Sequence, residues 1–262
     1  MSLQVSQLCF GYRGQPMLLD RIEFSLGDAE TLCILGPNGC GKTTLLRCLL
    51  GINPTASGSI VINGVPVRRM SRREVAKQMS YVPQSSTVLF PFNVLEMVLM
   101  GRTPHVPWMA VPSEQDRQRG LSALQELGIS HLKNRLFNEL SGGERQLVLI
   151  ARALCQEANT MILDEPTASL DYGNQIRILK VVNRLRDAGF TIVMTAHDPD
   201  HAFRSATHAA TMKGGRFLSM GAPEAILTGE ALSELYQTHI GVMTATFPEA
   251  PGKQIRASVP FI

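Results

Sequence analysis

The chain is poor in three things, and each shortage excludes a class of protein. Its charge is nearly balanced: 25 Lys and Arg against 22 Asp and Glu leave a formal +3. So small an excess gives no electrostatic footprint for nucleic acid as the main partner. Its cysteines are few. The five (Cys9, Cys33, Cys40, Cys48 and Cys155) are odd in number and never form C-x-x-C. That argues against a disulfide framework and a zinc site, and fits reduced thiols. Its apolar runs are short. None approaches the roughly eighteen residues a bilayer span needs, so the chain is not expected to cross a membrane by itself. The start, "MSLQVSQLCFGY", lacks the basic stretch and apolar core of a signal peptide. Internal repeats and low-complexity segments are also missing.

What is present is an ordinary globular composition, 44% hydrophobic and 18% charged over 262 residues. That is enough to bury one large core or two small ones. The first sixty-odd residues read as strands. "LQVSQLCF" and "RIEFSL" alternate roughly apolar with polar, and "TLCIL" is a buried run ending at glycine. Asn63-Gly64 between apolar runs signals a hairpin. The middle, from about Ser85 to Gln156, reads as helical. Ser71 with Glu74 and Ser141 with Glu144 have capping-box spacing, and Asn93 with Glu96 is a weaker relative. "GRTPHVPWMAVP" reads as a loop. From Thr160, strands alternate with helices again, which argues for a largely parallel α/β sheet. The tail after about Gly241 contains prolines and reads as irregular.

Two segments carry chemistry. "GPNGCGKTT", Gly36 to Thr44, satisfies G-x-x-x-x-G-K-[ST] between a buried strand and a helix. Gly36, Gly39 and Gly41 let the backbone curl so that N–H groups converge on phosphate oxygens. Pro37, Asn38, Cys40 and Thr44 complete the loop. The helix start adds positive potential, Lys42 adds a full charge, and Thr43 offers a hydroxyl to Mg²⁺. A thiol at Cys40, beside Lys42 and a helix N-terminus, is expected to have a lowered pKa. The second segment is "MILDEPT", an apolar run ending in two acids. Ligands collect at the carboxyl ends of parallel strands, which brings Asp164 and Glu165 to the phosphate loop. Asp164 suits Mg²⁺, and Glu165 suits the base that activates water. Pro166 should keep Glu165 extended.

The phosphate loop, "LSGGE", "LDEPTASLD" and "TAHD" occur in one order over one chain. In this the sequence resembles the ATPase subunit of an ABC transporter, over roughly residues 3 to 240. The resemblance implies a P-loop NTPase fold of the ABC ATPase type. That is a largely parallel α/β core sheet with an antiparallel β subdomain and an inserted helical subdomain. Residues 1–84 and 158–240 would form the core, 85–157 the helical part and 241–262 a tail. ATP and Mg²⁺ are the implied cofactors. Tyr12 would stack on adenine, although a turn tyrosine is the alternative. Gln84 would reach the metal or the attacking water. His197 would face the γ-phosphate. Asp171 would serve an interface loop as well as capping a helix.

The two glycines of "LSGGERQ" weaken a helix start, which the capping serine alone does not explain. Ser141, Gly142 and Gly143 would instead bind the phosphates of a second copy, in a head-to-tail dimer. "NVLEMVLMGRTPH" resembles importers for iron–siderophores, haem, cobalamin and molybdate. There Val94, Leu95, Met97, Val98 and Leu99 could line a groove for a helix of an integral permease dimer. An external solute-binding protein would join the complex without touching this chain. The subunit would then lie peripherally on the cytoplasmic face of the membrane. Transport of another substrate or in the other direction, or a non-transport nucleotide switch, are the remaining readings.

Overall fold

In the computed structural model, residues 3–84, 90–107, 109–247 and 250–261 are described. The chain opens with β1 (Leu3–Gly11) and β2 (Met17–Leu26), an antiparallel pair. Leu3, Val5, Leu8 and Phe10 face inward. The alternation slips between Val5 and Leu8 because Gln7, at φ 47°, forms a bulge. Gly58 lies against that bulge: a Cβ there would sit 2.3 Å from the Gln7 carbonyl oxygen. Next come β3 (Thr31–Leu35), α1 (Lys42–Leu49), β4 (Ser57–Ile62) and β5 (Val65–Pro66). Asn63 and Gly64 both have positive φ, as the two-residue hairpin turn requires. The order β2-β1-β4-β5 makes an antiparallel sheet.

After α2 (Arg72–Gln78) and β6 (Met79–Val82) the chain turns helical: α3 (Val94–Leu99), α4 (Glu114–Glu126) and α5 (Gly142–Cys155). Each begins with a complete capping box, Asn93–Glu96, Ser113–Asp116 and Ser141–Glu144. The second escaped the sequence reading because its third residue is Asp, not Glu or Gln. The expected start of the helical stretch at Ser85 lies outside the described residues, as does Trp108. The "GRTPH" segment starts with one tight helical turn at Met100–Arg102 and continues as a loop. Gly101 is required there, since a Cβ would lie 2.2 Å from the Arg152 carbonyl oxygen. Arg102 is buried and holds Asp116 at 2.8 Å, Glu157 at 2.7 Å and the Cys155 carbonyl at 2.8 Å.

The remainder alternates β7 (Thr160–Leu163), α6 (Tyr172–Asp187), β8 (Thr191–Ala196), α7 (Pro199–Ser205), β9 (His208–Lys213) and β10 (Arg216–Gly221). The main sheet runs β10-β9-β3-β8-β7-β6 and is parallel except for β10. Both faces of β3 are buried. Leu32 and Ile34 pack toward the antiparallel sheet, while Cys33 and Leu35 pack toward the helices. On the helical side, Leu147, Val148 and Ile150 of α5 are fully buried, each contributing roughly 1.5–3 kcal/mol.

Last come α8 (Pro223–Ile226), α9 (Gly229–Tyr236), β11 (Ile240–Phe247) and β12 (Ala250–Pro260). The tail is therefore not irregular. It is a hairpin paired from Ile240↔Pro260 to Phe247↔Ala250. Its prolines misled the reading: Pro260 is the last residue of an edge strand, where a missing N–H is tolerated.

Candidate functional site

β3 ends at Leu35, and the loop after it wraps to the start of α1. Gly36 is fixed by packing, because a Cβ would lie 2.2 Å from the Met212 carbonyl oxygen. Gly39 and Gly41 sit at φ 76° and 109°, where side chains are strained. A Cβ on Gly39 would meet nothing within 4 Å, so the loop is open on that side. No side chain caps α1, which leaves its first N–H groups free for an anion. Lys42 is buried and folds back on its own loop, donating to the carbonyls of Gly36 at 2.7 Å and Pro37 at 3.3 Å.

β7 delivers the two acids. Asp164 and Glu165 are both buried. Asp164 Oδ1 accepts from Thr43 Oγ1 at 3.2 Å and from Thr195 Oγ1 at 2.9 Å. Its Oδ2 accepts from the Tyr81 hydroxyl at 3.3 Å. Burial, and then the nearby Asp164 charge, pushes the Tyr81 phenol up to about 12. Glu165 Oε2 accepts from Gln84 Nε2 at 2.6 Å. Its Oε1 lies 2.5 Å from His197 Nε2 and 3.8 Å from Lys42 Nζ. A carboxylate only accepts, so Nε2 of His197 carries the hydrogen. Glu165 and Gln84 open on a cleft of about 300 Å³, also lined by Asn38, Gly39, Lys42 and Thr43 among others, while Asp164 and His197 lie behind or beside its lining.

Two expectations fail here. Glu165 is not extended but has φ 47°. The following proline bars only the right-handed helical region. The strain is held by the bond from the Glu165 N–H to Thr195 Oγ1 at 2.8 Å. The Cys40 thiol is raised, not lowered: its burial outweighs the attraction of Lys42. Thr195 and Tyr81 are the side chains the sequence reading missed. Each is one residue of an apolar strand, and nothing in its spacing sets it apart.

Tyr12, Ser141, Gly142, Gly143 and Asp171 do not line the cleft. Tyr12 is exposed and stands edge-on to Phe10, with ring centres 4.9 Å apart. Ser141 and Gly142 are exposed at the start of α5. Gly143 is buried, and a Cβ there would lie 2.4 Å from Asn174 Oδ1. Asn174 is in turn held by Asp171, which accepts from its backbone N–H at 2.8 Å and its amide at 2.7 Å. The two segments expected at an interface thus form one patch. Gly143 also has a packing reason that the sequence did not show.

Four of the five residues expected to line a groove for a permease helix do not line one. Val94, Leu95, Met97 and Val98 are buried inside the helical part. The large apolar groove, about 760 Å³, is lined instead by Phe92, Leu99, Met100, Val106, Pro107 and Met109 among others. "GRTPH" forms one wall, anchored by His105 Nε2 donating to the Gln156 carbonyl at 2.8 Å.

The fold and the loop–acid arrangement define a phosphate-loop ATPase. The family model for ABC transporters matches residues 19–168. An uncharacterised ABC transporter ATP-binding protein of Haemophilus influenzae is 41% identical over 91% of this chain and 90% of its own. The ferric enterobactin transport ATP-binding protein of Escherichia coli is 35% identical over 89% and 86%. The molybdate import ATP-binding protein of H. influenzae is 36% identical over 95% and 93%. A solved structure described as a metal-chelate type ABC transporter, inward-facing, superposes with TM-score 0.88. It is 33% identical and covers 100% of this chain and 98% of that one. The chain belongs to the ABC transporter family, as an ATP-binding, ATP-hydrolysing subunit. No helix among the described residues is long and apolar enough to cross a membrane.

Proposed function

We propose that the chain powers import of a metal chelate or related compound, such as an iron–siderophore, haem, cobalamin or molybdate, through a separate permease. The reading of the reaction is carried by one observation. Glu165 is held by Gln84 and His197 at the edge of the cleft that the phosphate loop forms. ATP seats its phosphates on the loop amides and the start of α1. Lys42 gives up its bonds to Gly36 and Pro37 and turns to the phosphates. Thr43, Asp164 and Gln84 fit Mg²⁺, since they are hard oxygen donors and two of them already converge. Mg²⁺, when bound, neutralises phosphate charge. Among the described residues no three His, Cys, Asp or Glu side chains cluster as a metal cage. That suits an ion that keeps waters and substrate oxygens. Glu165 takes the proton of the attacking water, and His197 orients Glu165 and the γ-phosphate.

The exposed Ser141 and Gly142 complete the site from a second copy, with Asp171 in the same interface and Tyr12 under the adenine. Residues 1–84 and 158–240 act as the nucleotide core, and 85–157 as the part that meets the partner copy. The apolar groove beside Leu99 and Met100 receives a permease helix, which places the subunit on the cytoplasmic face of the membrane. A solute-binding protein belongs to the complex without touching this chain. The homologues named for iron-chelate, haem and molybdate transport support the substrate class. Purification of the chain with its permease, followed by metal analysis of the bound substrate, tests it. A permease carrying a drug or lipid, with no external binding protein, contradicts the import reading.

A further inference from the structure

β8 ends at Ala196, so the backbone of His197 has left the sheet. Its carbonyl is satisfied from elsewhere: the Tyr236 hydroxyl donates to it at 2.8 Å. Tyr236 ends α9, and burial raises its phenol, so it remains a donor at neutral pH. The segment after His197 is held as well. Asp198 accepts from the Asp200 N–H at 2.8 Å and starts α7. Asp200 Oδ1 accepts from the backbone N–H of Ser258 at 2.7 Å and from its hydroxyl at 2.9 Å. Ser258 lies on β12, opposite Val242.

α9 and the terminal hairpin are one unit. Ser233 Oγ donates to the Gly229 carbonyl at 2.6 Å and accepts from the Ile240 N–H at 2.9 Å. A Cβ on Gly229 would lie 2.7 Å from the Ile240 carbonyl oxygen. One rigid element therefore grips the His197 segment at two points three residues apart.

We propose that Tyr236 is a positioning residue for His197, and that the C-terminal hairpin, through Ser258, steadies the same segment. The imidazole is half exposed, and Glu165 is its side-chain partner in the cleft. With the 197 carbonyl tied, the peptide plane is fixed and the ring keeps its reach to Glu165. The proposal rests on the reading of His197 and Glu165 as the reacting pair.

Steady-state ATP hydrolysis by the full chain with Mg²⁺ tests it, together with the His197 imidazole cross-peak in a ¹³C-histidine-labelled sample. Tyr236→Phe keeps the ring and removes only the hydroxyl. It should lower kcat about fivefold at unchanged KM, the size of one hydrogen bond. It should also move or broaden the His197 cross-peak while those of His105 and His208 stay. In a His197→Ala background it should lower kcat no further. Ser258→Ala should act in the same direction, about twofold. An unmoved His197 cross-peak with unchanged kcat overturns the proposal, as does an equal loss in both backgrounds. Full turnover by His197→Ala alone would instead overturn the role of His197, while the cross-peak still judges Tyr236.

Discussion

α1 and α5 both begin with glycine and a polar residue, and they begin differently. α1 starts at Gly41 in a left-handed conformation, without a side-chain cap and without an acid in its first turn. α5 starts at Ser141 with a complete capping box, and Glu144 occupies the first turn. The Ser141 N–H donates to Glu144 Oε2 at 2.8 Å, and the Glu144 N–H donates to Ser141 Oγ at 3.3 Å. The first start is unfinished without an anion. The second is self-sufficient as a helix and merely leaves Ser141 and Gly142 bare to solvent. A site that binds nucleotide within the chain can remain open. A surface proposed to meet another copy must be stable alone.

Breaking α1 should have the larger effect. Lys42→Ala removes the full positive charge of the phosphate loop. ATP affinity, read by titration, should fall at least about a hundredfold, and hydrolysis with it. Gly142→Val separates the two helix starts most cleanly. Nucleotide affinity of the monomer should stay within about twofold, while turnover is lost. Gly143→Ala sharpens the packing side of the comparison. Its methyl group displaces Asn174, so unfolding should come about 2–12 °C lower, from roughly 1–3 kcal/mol of overpacking. Ser141→Ala removes a cap worth about 1 kcal/mol, and the melting temperature should fall about 2–4 °C.

The smallest effect is on acid stability. Hydrogen bonds from Ser141 hold Glu144 below the usual carboxylate range, and those from Ser113, then Arg102, hold Asp116 down at about 2. Both carboxyls are lowered on folding, so their contribution is complete above the unfolded values. It fades as pH falls through the folded ones. Melting temperatures should therefore drop between pH about 4 and about 2, and less steeply in Asp116→Asn.

Most of the core was legible because its signals are local. β3, α1 and the Asn63-Gly64 turn follow from runs, spacing and turn residues read over ten positions. The acids were legible because Asp164 and Glu165 end a strand of the parallel sheet. What escaped depends on distant partners. Thr195 and Tyr81 matter only because β8 and β6 flank β7. The raised Cys40 thiol reflects burial, which no pattern around Lys42 reveals. The groove moved because α3 turns its apolar residues inward against α4 and α5, and leaves Leu99 and Met100 at the rim. The hairpin at the end was hidden by the prolines in its sequence, of which Pro260 falls at the end of an edge strand.

The central claim is that Gly142 serves another copy's nucleotide. Sedimentation of Glu165→Gln with ATP tests it most directly, because slow hydrolysis preserves the bound state. The chain of 28.7 kDa should run as a monomer without nucleotide and at about twice that mass with ATP. Adding Gly142→Val should return it to a monomer that still binds ATP. A species that binds ATP and stays monomeric in Glu165→Gln, or a Gly142→Val double variant that dimerises as well, contradicts the claim.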